Sequence, residues 1–152
     1  MKKEILFLAA LATCLSSFGQ TFEKTAQGGK FQTAQPTLNG EVIFYSPSIV
    51  RIVKYPSAEM PEKKSYPVIK TPEKVEISYK QNGNTVCMTS GKMTVTLDVV
   101  TGKVTYTDQK GETLLKEKVE GTNFIPRKDV NRDAFTVSQA FSLEPEEAIY
   151  GL

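Results

Sequence analysis

From Val75 onward, apolar and polar residues alternate with a period of two. Val75, Ile77 and Tyr79 alternate with Glu76, Ser78 and Lys80, which predicts a half-buried strand. Asn82-Gly83 follows as a turn, because both residues tolerate the positive φ that a tight hairpin demands. Thr85 to Thr89 leads to Ser90-Gly91, and Lys92 to Val100 places Met93, Val95, Leu97 and Val99 on one face. Thr101-Gly102 turns into Lys103 to Thr107, and Lys110-Gly111 turns into Glu112 to Glu117. These turn signals recur at the ~8–12 residue spacing of an antiparallel meander.

Upstream, Glu41 to Tyr45 reads as a strand, Ser46-Pro47-Ser48 as a turn, and Ile49 to Tyr55 as a second strand. In the latter, Ile49, Arg51, Val53 and Tyr55 alternate with Val50, Ile52 and Lys54, so both faces carry apolar residues. A strand covered on both sides is expected to look this way. Pro56 to Pro61 is a turn-rich connection. Thr122 to Asp133 breaks the rhythm with Pro126, Arg127, Asp129, Arg132 and Asp133, and reads as a loop. Ala134 to Leu143 alternates again as a strand, and Pro145-Glu146-Glu147 makes a turn. Outside the first twenty residues no stretch sustains an i, i+3, i+4, i+7 apolar pattern, so the expected fold is all-β, an antiparallel β-sandwich, with helix confined at most to one turn near Pro145.

The N-terminus adds a compartment. Lys2 and Lys3 precede a short apolar run from Ile5 to Ala12, and Ser17-Phe18-Gly19 supplies small residues at −3 and −1. This pattern predicts a secretory signal over residues 1–19 and a periplasmic or secreted product. The apolar run is too short to cross ~30 Å of hydrocarbon, so no membrane span is expected. Leu11-Ala12-Thr13-Cys14 roughly resembles a lipidation box, but Thr13 is an awkward residue before such a cysteine, which argues against anchoring at Cys14. Residues 20–40 are polar, contain Gly28-Gly29 and show little periodicity. They read as a loose leader with one edge strand around Lys30 to Thr33. Residues 41–152 form the sandwich domain.

Composition then narrows the chemistry. The chain has 19 basic and 17 acidic residues; removing Lys2, Lys3 and Glu4 with the signal leaves a net charge of +1. That balance argues against nucleic acid as a partner, and Lys63-Lys64 reads as a solvated loop. Cys87 stands alone once Cys14 is removed, so no intramolecular disulfide forms, and its place between Val86 and Met88 suggests a buried structural thiol. Histidine is absent, which excludes His-ligated metals, Ser-His and Cys-His catalysis and an imidazole proton shuttle within this chain. No cofactor is implied. Glu146-Glu147 reads as a solvated turn, and Asp129 and Asp133, flanked by Arg127 and Arg132, read as ion-paired in a loop.

Phe141-Ser142-Leu143-Glu144-Pro145-Glu146-Glu147-Ala148-Ile149-Tyr150-Gly151-Leu152 resembles the strand-turn-strand segment F-x-L-x-x-x-E-x-x-Y-G-L-G near the end of the N-terminal domain of glycoside hydrolase family 31. It matches at Phe141, Leu143, Glu147, Tyr150, Gly151 and Leu152 and stops before the final glycine. Phe44 to Ile52 resembles the opening of that domain, and Val95 to Asp108 with Leu114-Leu115 resembles its central hairpins. The resemblance implies a galactose-mutarotase-like β-sandwich in front of a (β/α)8 barrel that retains configuration at α-linked glucose or xylose. α-Xylosidase is the first subtype it suggests. The family's two catalytic aspartates lie on barrel strands beyond Leu152, so the resemblance implies an incomplete sandwich without the catalytic barrel and no catalytic residue in this chain. The barrel of the same polypeptide is the implied partner and an α-linked oligosaccharide the implied substrate. Within the segment 123–133, Asn123, Arg127 and Asp129 are the candidate pocket-lining residues. An autonomous periplasmic carbohydrate-binding or adhesion sandwich is the alternative, which the absence of tryptophan weakens.

Overall fold

The structure, a computed structural model, describes residues 21–34, 38–56 and 67–145. Among these residues there is no helix, and ten strands form two wholly antiparallel sheets. The first sheet runs in chain order through β1 (Thr21–Thr25), β2 (Gly28–Gln32), β3 (Asn39–Ser46) and β4 (Ile49–Tyr55). The second runs through β5 (Ser78–Asn82), β6 (Thr85–Thr89), β7 (Met93–Asp98), β8 (Val104–Asp108), β9 (Thr113–Asp129) and β10 (Arg132–Ser142). The sandwich expected from the alternation is present.

Its core is built by the inward residues of each pleat. Val86 and Met88 of β6, Val95 and Leu97 of β7, and Val104 of β8 pack in one cluster with Phe31, Val42 and Phe44 of the first sheet. Polar links stitch the two layers at the rim. The Tyr79 hydroxyl donates to the Gly28 carbonyl at 2.7 Å, and Ser90 Oγ lies 2.5 Å from the Pro47 carbonyl. The β7–β8 turn is held by Asp98, whose Oδ1 accepts from the N–H groups of Val100 and Thr101 at 2.8 and 3.1 Å.

Four sequence expectations need correction. The leader is not loose: residues 21–32 form the β1–β2 hairpin, paired in register from Thr21–Gln32 to Thr25–Gly28. Its glycines hid it. At φ 149° and with the Val42 carbonyl pressed against its Cα, Gly28 occupies a place no side chain could take, so an apolar signal was replaced by an empty one. β4 is covered on both sides only toward its end. Val50 and Ile52 pack on the core; on the other face Tyr55 is 6% exposed and Arg51 and Val53 are half-buried, whereas Ile49 is 51% exposed. Val75 is buried, but strand pairing in that segment starts only at Ser78.

The fourth correction is the largest. Residues 122–133 are not a loop; they are the far end of a two-stranded ribbon formed by β9 and β10, paired out to Asp129–Arg132. Pro126 argued against a strand, because a proline cannot donate to a ladder. β8 pairs β9 only as far as Lys116, so beyond that point β9 has one neighbour and an open side. The turn itself, Val130-Asn131 at φ 39° and 70°, lacks the glycine that would have announced a hairpin.

Replacing Phe44, which is fully buried, by alanine is expected to lower the unfolding free energy by about 3–5 kcal/mol. Ile69→Ala, at a 91% exposed position with ordinary backbone, should change it by less than about 0.5 kcal/mol. Urea denaturation of the two variants checks the contrast; similar losses would contradict the placement of the core.

Candidate functional site

Lys54 is the last inward-facing residue of β4, following Val50 and Ile52 on the same face. Its side chain is only 6% exposed, and Nζ lies 2.6 Å from Oε2 of Glu117 on β9. The Glu117 side chain is 1% exposed. Its carboxylate is fully engaged, with Oε2 also accepting from the Val104 N–H of β8 at 2.8 Å and Oε1 from Gln139 Nε2 of β10 at 2.7 Å. Lys54 donates in addition to Thr122 Oγ1 at 3.0 Å. One ion pair therefore joins β4 of the first sheet to three strands of the second.

Glu117 and Thr122 are five residues apart, so on a regular strand they would point to opposite faces. A bulge corrects the phase. Gln139 pairs with Thr122 and Phe141 with Glu117, so Lys118 to Gly121 are looped out against Ala140 alone. Glu120 takes φ 55° within this bulge, and at Gly121 a Cβ would come within 2.6 Å of the Ala140 carbonyl oxygen. The bulge thus sets Glu117, Thr122 and Gln139 on the same face as Lys54.

The electrostatics follow from the burial. Desolvation lowers the Lys54 pKa despite the Glu117 carboxylate, which acts to raise it. The Tyr106 phenol is pushed far above its ordinary range, first by burial and then by Glu117. Burial also raises Tyr55 and Tyr79. A carboxylate that is 1% exposed and held by three donors, one of them an ammonium, is anchored inside the sandwich and does not face an open pocket as a free base. Retaining glycoside hydrolysis needs two carboxyls ~5–5.5 Å apart, and Glu117 is the one acidic residue among the described buried groups. The node is built to hold the layers together.

Beyond the node, the ribbon has two unlike faces. Thr122, Phe124, Pro126, Phe135, Val137 and Gln139 share one face, where Phe124 and Phe135 meet edge to face with centroids 6.3 Å apart. Ile52, Lys54, Thr122, Phe124, Val137 and Gln139 line a cleft of ≈ 320 Å³ between this face and β4. Asn123, Arg127 and Asp129 share the opposite face, and all three are exposed. The structure aligns them on one strand, but Asn123 and Arg127 stand ~13 Å apart along it. Asp129 faces Arg132 and Asp133 faces Lys128 across the ladder, and among the described residues neither aspartate is in an ion pair; the expected loop pairs do not form. Cys87 is half-buried on the outer side of β6, 3.7 Å from Thr96 Oγ1, not in the core as expected. Cys14, Lys63-Lys64, Glu146-Glu147 and Tyr150-Gly151 lie outside the described residues.

Lys54 and Glu117 escaped the sequence reading. Lys54 ends an apolar face, which was a usable signal. Glu117, between Lys116 and Lys118, carried none.

A family model described as the glycosyl hydrolase 31 N-terminal galactose mutarotase-like domain matches residues 40–152. The chain belongs to this family. Its sandwich is similar to part of the GH31 α-xylosidase from Xanthomonas citri, with a TM-score of 0.65 over 84% of this chain and 18% identity, a likeness of fold. An alpha-glucosidase 2 from Bacillus thermoamyloliquefaciens is 34% identical over 90 residues, 59% of this chain. The chain spans 11% of that curated relative and 13% of the solved one. The galactose-mutarotase-like domain described here thus corresponds to a small part of each.

The raised tyrosines fix a sign for the pH dependence. A phenol whose folded pKa lies above the unfolded value of 10.0 keeps its proton when the unfolded chain releases it, so stability falls as pH rises past 10.0. Lys54 acts in the opposite direction, whereas Lys30, raised by its hydrogen bond to Glu41, acts with the three tyrosines. Chemical denaturation at a series of alkaline pH values should show this loss, and Tyr106→Phe should flatten it. An unchanged slope in Tyr106→Phe would contradict the assignment.

Proposed function

We propose that this chain is the exported, non-catalytic N-terminal sandwich of a family 31 glycoside hydrolase acting on α-linked xylose or glucose. In this reading it supports a (β/α)8 catalytic barrel that belongs to the same polypeptide. The family match over residues 40–152 carries the reading, and the α-xylosidase and α-glucosidase relatives favour the two sugars. The basic, apolar and small-residue segments over residues 1–19 favour export.

The ribbon supplies a finer role. β9 and β10 run beyond the end of β8, so their tip extends past the sheet, and its Asn123, Arg127 and Asp129 face carries amide, guanidinium and carboxylate groups free to meet sugar hydroxyls. In the whole enzyme this arm borders the sugar pocket from the side.

The product of the complete reading frame is expected to hydrolyse an aryl α-xyloside or α-glucoside, while the 152-residue chain does not. In that product Asn123→Ala and Arg127→Ala should raise KM about 2- to 10-fold, the loss of one hydrogen bond, with kcat little changed. Hydrolysis by the 152-residue chain alone would refute the non-catalytic reading, and wild-type KM in both variants would refute the pocket role.

A further inference from the structure

The two-stranded arm that β9 and β10 form beyond Glu117 stands on a narrow base. β8 pairs with β9 as far as Lys116, and at the next position a side chain takes over from the ladder: the Val104 N–H donates to the Glu117 carboxylate at 2.8 Å. Past that point β10 is the one strand paired with β9 among the described residues. A two-stranded ribbon twists and bends more readily than a strand held on both sides. The direction of the arm is therefore set where it leaves the sheet.

Two features sit at that exit. The first is an elbow, Lys118 to Gly121, looped out against Ala140. It is closely packed: a Cβ at Gly121 would meet the Ala140 and Lys118 carbonyl oxygens at 2.6 and 2.8 Å, and Glu120 holds φ 55°. The second is a tether. Lys54 Nζ, itself fixed to Glu117 at 2.6 Å, donates to Thr122 Oγ1 at 3.0 Å, which ties the first residue past the elbow to β4 of the other sheet. Thr122 faces Lys54 on the side of the ribbon opposite to Asn123 and Arg127, so its hydroxyl is turned away from any ligand held by those two. Arg127 lies five residues further out, ~17 Å along an extended strand, so a tilt of ~10° at Thr122 displaces Arg127 by ~3 Å. A shift of that size separates a hydrogen bond from none.

We infer that Thr122, held by Lys54, is a positioning residue for substrate: it fixes the angle of the arm and hence where Asn123 and Arg127 stand at the sugar pocket. Lys54 suits the task because its own ion pair with Glu117 holds the ammonium in place, whereas the ammonium of a solvated lysine would swing. Loss of the Thr122 hydroxyl unties the arm and leaves the β9–β10 ladder, the Lys54–Glu117 pair and the Asn123 and Arg127 side chains intact. The inference rests on the reading that the arm borders the sugar pocket of the complete enzyme.

Steady-state kinetics of the complete reading-frame product, on the aryl α-xyloside or α-glucoside that it hydrolyses, test it. Thr122→Val keeps the shape and removes the hydroxyl. It should raise KM about 2- to 10-fold with kcat within about twofold, and Thr122→Ser should restore the wild-type KM. In a product that already carries Asn123→Ala and Arg127→Ala, adding Thr122→Val should change KM by less than about twofold, because the groups it positions are gone. A purely structural role would lower the folded fraction, and the apparent kcat with it, in both backgrounds. Should Thr122→Val not fold, Glu120→Gly takes its place with the same expected KM changes; it lies at an exposed residue whose φ suits glycine, and it loosens the elbow. Wild-type KM in Thr122→Val, or an equal rise in both backgrounds, overturns the inference; if Asn123→Ala and Arg127→Ala still raise KM, the pocket reading stands. Wild-type KM in those two variants refutes the pocket reading and the inference with it.

Discussion

A lysine and a glutamate 63 residues apart meet where β4 of one sheet faces β8, β9 and β10 of the other. Taking both charges out of water is costly, and the geometry offsets that cost through a 2.6 Å contact and hydrogen bonds that leave no described buried side-chain polar atom without a partner. The consequence is positional. A hydrophobic contact tolerates sliding, but a buried carboxylate shared among Lys54, Val104 and Gln139 permits one registry of the layers. The bulge at Lys118 to Gly121 exists in the same registry, since without it Thr122 would point away from Lys54.

That registry sets up what lies beyond it. β9 passes through the node and then leaves β8, so the direction of the ribbon is fixed at Glu117 and Thr122 while its tip remains free of the sheet. A mixed face with Asn123, Ile125, Arg127 and Asp129 and an apolar face with Phe124, Phe135 and Val137 are thereby presented in different directions.

Much of the sandwich was legible because period-two burial is a strong constraint: Met93, Val95 and Leu97 alternate into the core as written, and β4 spans Ile49–Tyr55 as expected. The terminal family motif was legible too, although Tyr150 to Leu152 lie outside the described residues. What escaped was structure that depends on backbone proximity. Gly28 contributes by having no side chain, and Pro126 is tolerated because β9 has lost a neighbour, facts that no local pattern contains. Glu117 was invisible for a related reason, since a carboxylate between two lysines looks solvated until its partners from three other strands are known.

The most direct test of this account is a double-mutant cycle with Lys54→Met, Glu117→Gln and the combined variant, followed by urea unfolding. A coupling free energy of about 2–3 kcal/mol is expected, each single substitution stranding its buried partner. Additivity to within about 0.5 kcal/mol would mean that the two side chains act independently, and would contradict the claim that their pairing fixes the packing of the sheets.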